Sequence, residues 1–145
     1  MKKKEYKAYV DKMTPNSPLG KDLIFAFLIG GAICTIGQCF FELYTSMGFS
    51  EEHVSMLTSS TMVFLGSAFT GFGLYDRLAK YAGAGTIVPI TGFANAITSP
   101  AIEFKSEGLV LGLAVKMFSV AGPVVVYGIT SGFVAGVIYY IMSLI

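Results

Sequence analysis

Charged residues divide the chain into a polar N-terminal segment and four long uncharged runs. The runs lie at 23–41, 53–75, 81–102 and 117–145 and hold 19, 23, 22 and 29 residues. About 20 helical residues, rising 1.5 Å each, cross a hydrocarbon core of roughly 30 Å, so each run could cross a membrane once. The pattern predicts an all-α, polytopic membrane protein with about four hydrophobic helical segments.

Composition supports this class, because 54% of the residues are hydrophobic, only 13% are charged, and the mean hydropathy is +0.68. We expect two regions, a basic N-terminal segment at 1–22 and a single integral membrane domain at 23–145. No small-residue cleavage site closes the first run, so no removable signal peptide is expected. The net charge of +1 gives no indication of nucleic-acid binding.

The basic residues predict an orientation. The next connection carries Glu42, Glu51 and Glu52, whereas Arg77 and Lys80 follow the second run. An excess of basic residues marks the cytoplasmic side, so we expect a cytoplasmic N-terminus. The basic segment could also attract anionic membrane lipid. Its lysines are Lys2, Lys3, Lys4, Lys7, Lys12 and Lys21.

The third run differs from the others in its density of helix breakers. An interior proline costs a helix about 3 kcal/mol, and a glycine costs roughly 1 kcal/mol relative to alanine. Irregular backbone at membrane depth is tolerated only where protein buries it or where it lines a cavity. We expect a broken or re-entrant helix with Thr91 to Asn95 near the break; a proline-kinked continuous span is the alternative. The breakers are Gly83, Gly85, Pro89, Gly92 and Pro100.

Polar residues in and after this run are the candidate solute pathway. Thr91 and Asn95 are four apart and would share a helix face, where the end of a half-helix favours an anionic solute. Glu103 and Glu107 would also share a face on a helix and could supply part of a Ca²⁺ shell, or simply belong to a solvated loop. Lys116 lies in apolar sequence, where it either faces a cavity or extends to the interface.

Small residues at four-residue spacing predict close helix packing. Gly128, Gly132 and Gly136 form such a stripe in the last run, for contact within the chain or with a copy or partner. Ala26, Gly30 and Cys34 repeat the spacing in the first run.

The cysteines and the catalytic motifs add little. Cys34 and Cys39 are five apart on one predicted helix and cannot form an ordinary disulfide, so we interpret both as packing residues. The sequence has no metal-ligand cluster and no catalytic motif. We therefore expect neither an enzyme nor a cofactor or metal.

Three segments together resemble a known family. They are 27–38 (FLIGGAICTIGQ), 70–77 (TGFGLYDR) and 81–95 (YAGAGTIVPITGFAN). They are similar to the stage V sporulation protein A membrane family of endospore-forming bacteria, and 102–109 (IEFKSEGL) resembles its AC-type branch more than its AE-type branch. The similarity runs from about residue 25 to residue 112.

The resemblance implies a subunit of an inner-membrane complex of the developing spore. Such a complex admits pyridine-2,6-dicarboxylic acid (dipicolinic acid) with Ca²⁺ during sporulation and releases it at germination. The AC-type branch is also regarded as a tension-sensitive, mechanosensitive channel. AE-type subunits and soluble AD-type subunits are the implied partners. Two hypotheses remain: the chain lines a conduit, or it is a non-conducting structural subunit of that complex.

Overall fold

The structure, a computed structural model, describes residues 6–7, 9–10, 13 and 18–144, so most of the predicted basic segment 1–22 lies outside the described residues. Every regular element from residue 18 onward is helical, which confirms the all-α fold. The helices are α1 (Leu19–Ser46), α2 (Glu51–Gly71), α3 (Leu74–Ala82), α4 (Ala84–Ile87), α5 (Ile90–Glu103) and α6 (Val115–Ser143), with a 3₁₀ turn (Phe104–Glu107) and a π-helical segment (Leu109–Ala114) before α6.

Helices α1 and α2 form a hairpin. The 28 residues of α1 and the 21 residues of α2 correspond to the first two runs. Glu51 and Glu52 lie in the first turn of α2, where negative charge complements the helix dipole. The Tyr44 hydroxyl and Thr61 Oγ1, 2.8 Å apart, link the two helices near their connection.

The apolar pattern of the second run predicts one span as far as residue 75. The structure instead divides this run between two helices. Helix α2 ends at Gly71, and α3 leaves it at an angle of 101°. Gly73 makes the turn with φ of +66°, a conformation that costs glycine little, and its N–H donates to the Thr70 carbonyl at 3.0 Å.

The third run is broken, as predicted. Its first two residues complete α3, Gly83 turns with φ of +49°, and α4 is only 4 residues long. The second break is at Val88 and Pro89, so Thr91 to Asn95 follow it inside the regular helix α5. At 1.5 Å per residue, the 14 residues of α5 reach about 21 Å, too short to cross a hydrocarbon core of roughly 30 Å.

Membrane spans are therefore fewer than four runs allow. By length and composition, Leu19–Ser46 and Leu109–Ser143 could each cross a membrane, and the bent pair Glu51–Gly71 and Leu74–Ala82 raises the number to three if it counts as one span. The α4–α5 segment is a short interruption packed against the spanning helices.

Glycines set the closest helix approaches in this bundle. A Cβ added to Gly66 would lie 2.9 Å from the Thr91 carbonyl oxygen, and one added to Gly30 would lie 3.1 Å from the Gly85 carbonyl oxygen. Side chains larger than hydrogen would force these backbones apart. Thus α5 meets α2 at Gly66, and α4 meets α1 at Gly30 and Ala26, which confirms part of the packing predicted for the first run.

Helix α6 has a packed beginning and a bare end. In α6, residues 116–117 and 120–122 are half-buried, as are 113–114 at the end of the π-helical segment, and α6 contacts α5 along its start. From Pro123 to Leu144 every residue is exposed. This half of α6 therefore extends away from the packed helices of its own chain.

Candidate functional site

Hydroxyl and amide groups meet where α4 and α5 pack against α2 and α3, and we call this set the polar seam. It lies in the middle of sequence that is otherwise apolar, on both sides of the Val88–Pro89 break. Its members are Ser67, Thr70, Tyr75, Thr86, Thr91, Asn95 and Thr98.

Tyr75 is the centre of the seam. Its hydroxyl oxygen lies 2.8 Å from the Thr86 carbonyl oxygen and 3.0 Å from Thr91 Oγ1. A phenol has one proton to donate and lone pairs to accept, so it can serve both neighbours at once. Only 5% of Tyr75, 1% of Thr86 and 6% of Thr91 is exposed. One side chain at the bend thus joins α3 to α4 and α5.

Two further hydrogen bonds continue the seam along α5. Thr70 Oγ1 is 2.9 Å from the Asn95 side-chain amide and 2.7 Å from the Gly66 carbonyl oxygen. The Thr98 hydroxyl donates to Ser67 Oγ at 3.0 Å. Thr91 and Asn95 therefore face the same neighbouring helices, as their four-residue spacing predicts.

In this conformation the seam is closed. Its polar groups bond to one another and to backbone, and they hold α5 against α2 and α3. The cavity beside Tyr75 and Thr91 has a volume of about 160 Å³ and is otherwise lined by apolar side chains such as Ile33, Met62 and Leu65. An anionic solute would meet the seam's donors only after α5 separated from its neighbours.

The acidic pair predicted after the third run is not on one helix. Glu103 ends α5, and Glu107 ends the following 3₁₀ turn, which has about 3.0 residues per turn, so the four-residue spacing no longer aligns the two side chains. Both are exposed and separate from the seam. Within residues 18–144 no three His, Cys, Asp or Glu side chains gather as a metal site.

Lys116 lies in the first turn of α6 and is half-buried. Its Nζ lies 4.1 Å from the centroid of the Phe104 ring, within cation–π range. The aromatic face partly replaces the water that a charged group loses among apolar residues. Lys116 thus lies apart from the polar seam, and its facing a cavity or extending to the interface, the alternatives expected from sequence, stay predictions.

The predicted glycine stripe lies on the bare half of α6. Within the described part of the chain, a Cβ added to Gly128, Gly132 or Gly136 would meet nothing within 4 Å. Contact with another part of the described chain is thus not what the stripe serves, and contact with a copy or a partner stays a prediction. Cys34 and Cys39 are free and exposed on α1.

Sequence reasoning found Thr91 and Asn95 but missed the groups that bind them. Thr70 and Tyr75 belong to the second run, which had been read as an ordinary span. A signal was present, since Ser67 and Thr70 interrupt the apolar stretch just before a pair of glycines at 71 and 73, and Tyr75 follows that pair. The bend at those glycines is what directs Tyr75 toward α4 and α5.

Comparison with known proteins gives the family. The profile described as SpoVAC/SpoVAEB sporulation membrane protein matches residues 22–138, which include the hairpin, the bend, the seam and most of α6. The chain belongs to the SpoVAC/SpoVAEB sporulation membrane protein family. This confirms the resemblance drawn from the three segments and establishes an integral membrane protein with a sporulation role.

One curated relative is the stage V sporulation protein AC of Bacillus subtilis (strain 168). It is 43% identical over 139 residues, covering 95% of this chain and 93% of the relative. The similarity therefore extends across the hairpin, the broken segment and the last helix. No solved structure matches the chain.

Proposed function

We propose that this chain is a conduit-forming subunit of a complex in the inner membrane of the forespore and spore. The solute is pyridine-2,6-dicarboxylic acid, carried with Ca²⁺, inward during sporulation and outward at germination. AE-type and soluble AD-type subunits are its partners, and the N-terminus faces the cytoplasm. The process moves a solute and involves no bond chemistry.

The observation that carries this proposal is the polar seam on an interrupted helix. Buried hydroxyl and amide groups on α5 follow directly after irregular backbone at Val88 and Pro89. In membrane proteins such interruptions occur where protein or a watery cavity surrounds them, and solute sites are built there. Movement of α5 away from α2 would expose these donors along a path.

The experiment is dicarboxylate uptake into liposomes holding the purified chain, alone and with its partner subunits. Asn95→Leu removes a seam amide, and Glu103→Gln/Glu107→Gln neutralises the exposed acidic pair outside it. Ala96→Leu, on an exposed residue next to Asn95, is the matched control for added volume on α5. We expect uptake to fall about tenfold or more for Asn95→Leu, since a hydrogen bond to a charged group contributes roughly 1.5–3 kcal/mol.

The calcium dependence of uptake distinguishes a role of the acidic pair from a role of the seam. A defect of the double Gln variant that appears only with Ca²⁺ would assign the cation to the loop at 103–107. Normal uptake by Asn95→Leu, with the complex intact, would contradict the conduit function.

A structural subunit is the second function, and the closed seam together with the bare half of α6 favours it. A chain whose polar groups bond internally, and whose last helix presents a glycine face, could hold partners together without conducting. Uptake that needs the chain for assembly of the complex but tolerates every seam substitution would establish this role.

Tension gating is a further part of the proposal. The seam is closed by a few interhelical hydrogen bonds, each worth about 0.6–2 kcal/mol in a membrane, so a modest force could separate α5 from α2. Hypo-osmotic shock of loaded liposomes should release solute only when the chain is present. Release that is independent of shock strength would contradict tension gating.

A further inference from the structure

The 101° bend after α2 makes α3 a candidate for a different environment from the helices around it. Helix α2 has 21 residues, about 32 Å at 1.5 Å per residue, which matches a hydrocarbon core of roughly 30 Å. If Glu51 and Glu52 lie at one interface, Gly71 therefore lies at the other. A helix that turns by about a right angle at that level runs along the membrane surface.

The two faces of α3 differ as such a position requires. Tyr75, Ala79 and Ala82, spaced at i, i+4 and i+7, are buried or half-buried against the bundle. The charged side chains Asp76, Arg77 and Lys80 all lie away from that face and are exposed. An amphipathic helix with a basic outer side and an aromatic residue is typical of the headgroup layer.

The start of α1 independently indicates that α3 lies at the membrane surface. The start of α1 lies beside the end of α3, because Asp22 and Leu23 line one cavity with Lys80 and Tyr81. Lys21 and Asp22 are exposed at this end of α1. Two elements thus place ionisable groups in one layer: the start of α1 and α3, which follows the bend.

We propose that α3 lies in the phospholipid headgroup layer, on the side of the membrane where α1 begins, and that Arg77 and Lys80 bind headgroup phosphates of anionic phospholipid. The guanidinium and ammonium donors match phosphate oxygens, and Tyr81, 66% exposed, lies where interfacial aromatic residues are enriched. Asp76 shares the outer face, so two basic side chains stand against one acidic one.

The position of α3 is tested by spin-label depth measurements on the reconstituted full chain. Cys34→Ala/Cys39→Ala removes the native thiols, and single labelled cysteines then replace residues 76, 77, 80 and 81 in turn. A helix in the membrane plane gives depths that depend only on the side of the helix where each label lies, with no steady change along the chain. A helix continuing along the membrane normal would change depth by roughly 7 Å across these positions.

The control uses the same spacing on a helix that crosses the membrane. Labels at 129, 130, 133 and 134 of α6 lie on exposed residues and should differ in depth by roughly 7 Å. A steady depth change along α3 like that along α6 would overturn the proposal, and so would labels that lie in bulk water beyond the headgroups.

Lipid binding is tested by titrating the detergent-solubilised chain with phosphatidylglycerol and measuring bound lipid by native mass spectrometry. Arg77→Gln/Lys80→Gln should weaken binding about fivefold for each charge removed, the factor that ~1 kcal/mol per basic residue corresponds to. Lys105→Gln, in the loop after α5, is the matched control and should bind like the parent chain. Equal binding by all three proteins would overturn the headgroup site.

Discussion

Glycines have different surroundings in two parts of this molecule, the bundle of α1 to α5 and the second half of α6. In the bundle made by α1 to α5, Gly66 and Gly30 lie against the backbone of another helix, and a Cβ at either position would be within about 3 Å of it. In the second half of α6, Gly132 and its neighbours meet nothing within 4 Å in the described chain. Small residues at helical spacing thus pack closely in one part of the described chain and meet no described residue in the other, so the spacing alone does not identify a packing partner.

The largest expected effect is at the crossing of α2 and α5. Gly66→Leu places a side chain against the Thr91 carbonyl, and overpacking of this kind costs about 1–3 kcal/mol or more. We expect a lower unfolding temperature of the chain in detergent. Because the chain has no Trp, the measurement is far-ultraviolet circular dichroism.

Gly71→Leu is the matched control for this change. It adds the same side chain to the same helix where a Cβ would meet nothing within 4 Å among the described residues. If both variants lose equal stability, the crossing at Gly66 is not a tight contact and the comparison between the two halves fails.

A smaller effect is expected at the centre of the polar seam. Tyr75→Phe keeps the ring but leaves the buried Thr86 carbonyl and Thr91 hydroxyl without this partner, a loss of about 1–3 kcal/mol. Unfolding in the same assay should begin at a lower temperature than for the parent chain. Tyr81→Phe makes the same chemical change at an exposed position and should leave the unfolding temperature unaltered. An equal decrease in unfolding temperature for both variants would show that the seam does not stabilise the fold.

The smallest effect on the chain alone is expected in the bare half of α6. Gly132→Leu should leave the unfolding temperature nearly unchanged, because its surroundings are empty in the described chain. We expect weaker association instead. The amount of partner subunit, or of a second copy, that co-purifies with the tagged chain should fall several-fold.

Val134→Leu serves as the control for association. Two residues along an α-helix is a rotation of about 200°, so this change enlarges the side opposite the glycine stripe. We expect it to assemble normally. Normal assembly of Gly132→Leu as well would mean that the glycine face contacts lipid.

The spanning helices could be predicted from sequence, and the bend could not. Uncharged runs at 23–41 and 117–145 correspond to α1 and α6, since each run is long and apolar enough to cross a membrane and is not interrupted by a turn. The run at 53–75 is equally uncharged, yet Gly73 takes a left-handed conformation that ends α2 before it. Apolar character does not reveal such a turn, because it depends on backbone conformation.

The break and the seam were predicted only in part. Proline favours the start of a helix, so Pro89 precedes α5 and the predicted site at Thr91 to Asn95 falls just after the break. The role of Tyr75 could not be predicted because its partners are 11 and 16 residues away in sequence. The bend after α2 is what brings them together. Glu103 and Glu107 were expected to share a helix face because they are four residues apart. The change from α to 3₁₀ geometry between them cannot be predicted from that spacing.

The π-helical segment at Leu109–Ala114 determines how the following helix α6 is rotated about its own axis. Its i to i+5 bonding, seen in the Leu113 N–H donating to the Gly108 carbonyl at 3.0 Å, accommodates about one extra residue in the winding. Removing one residue there would restore α geometry and turn the rest of α6 by about 100° around its axis. The direction in which Gly132 faces is thus fixed more than a dozen residues upstream, and a single deletion would redirect that surface without altering any residue on it.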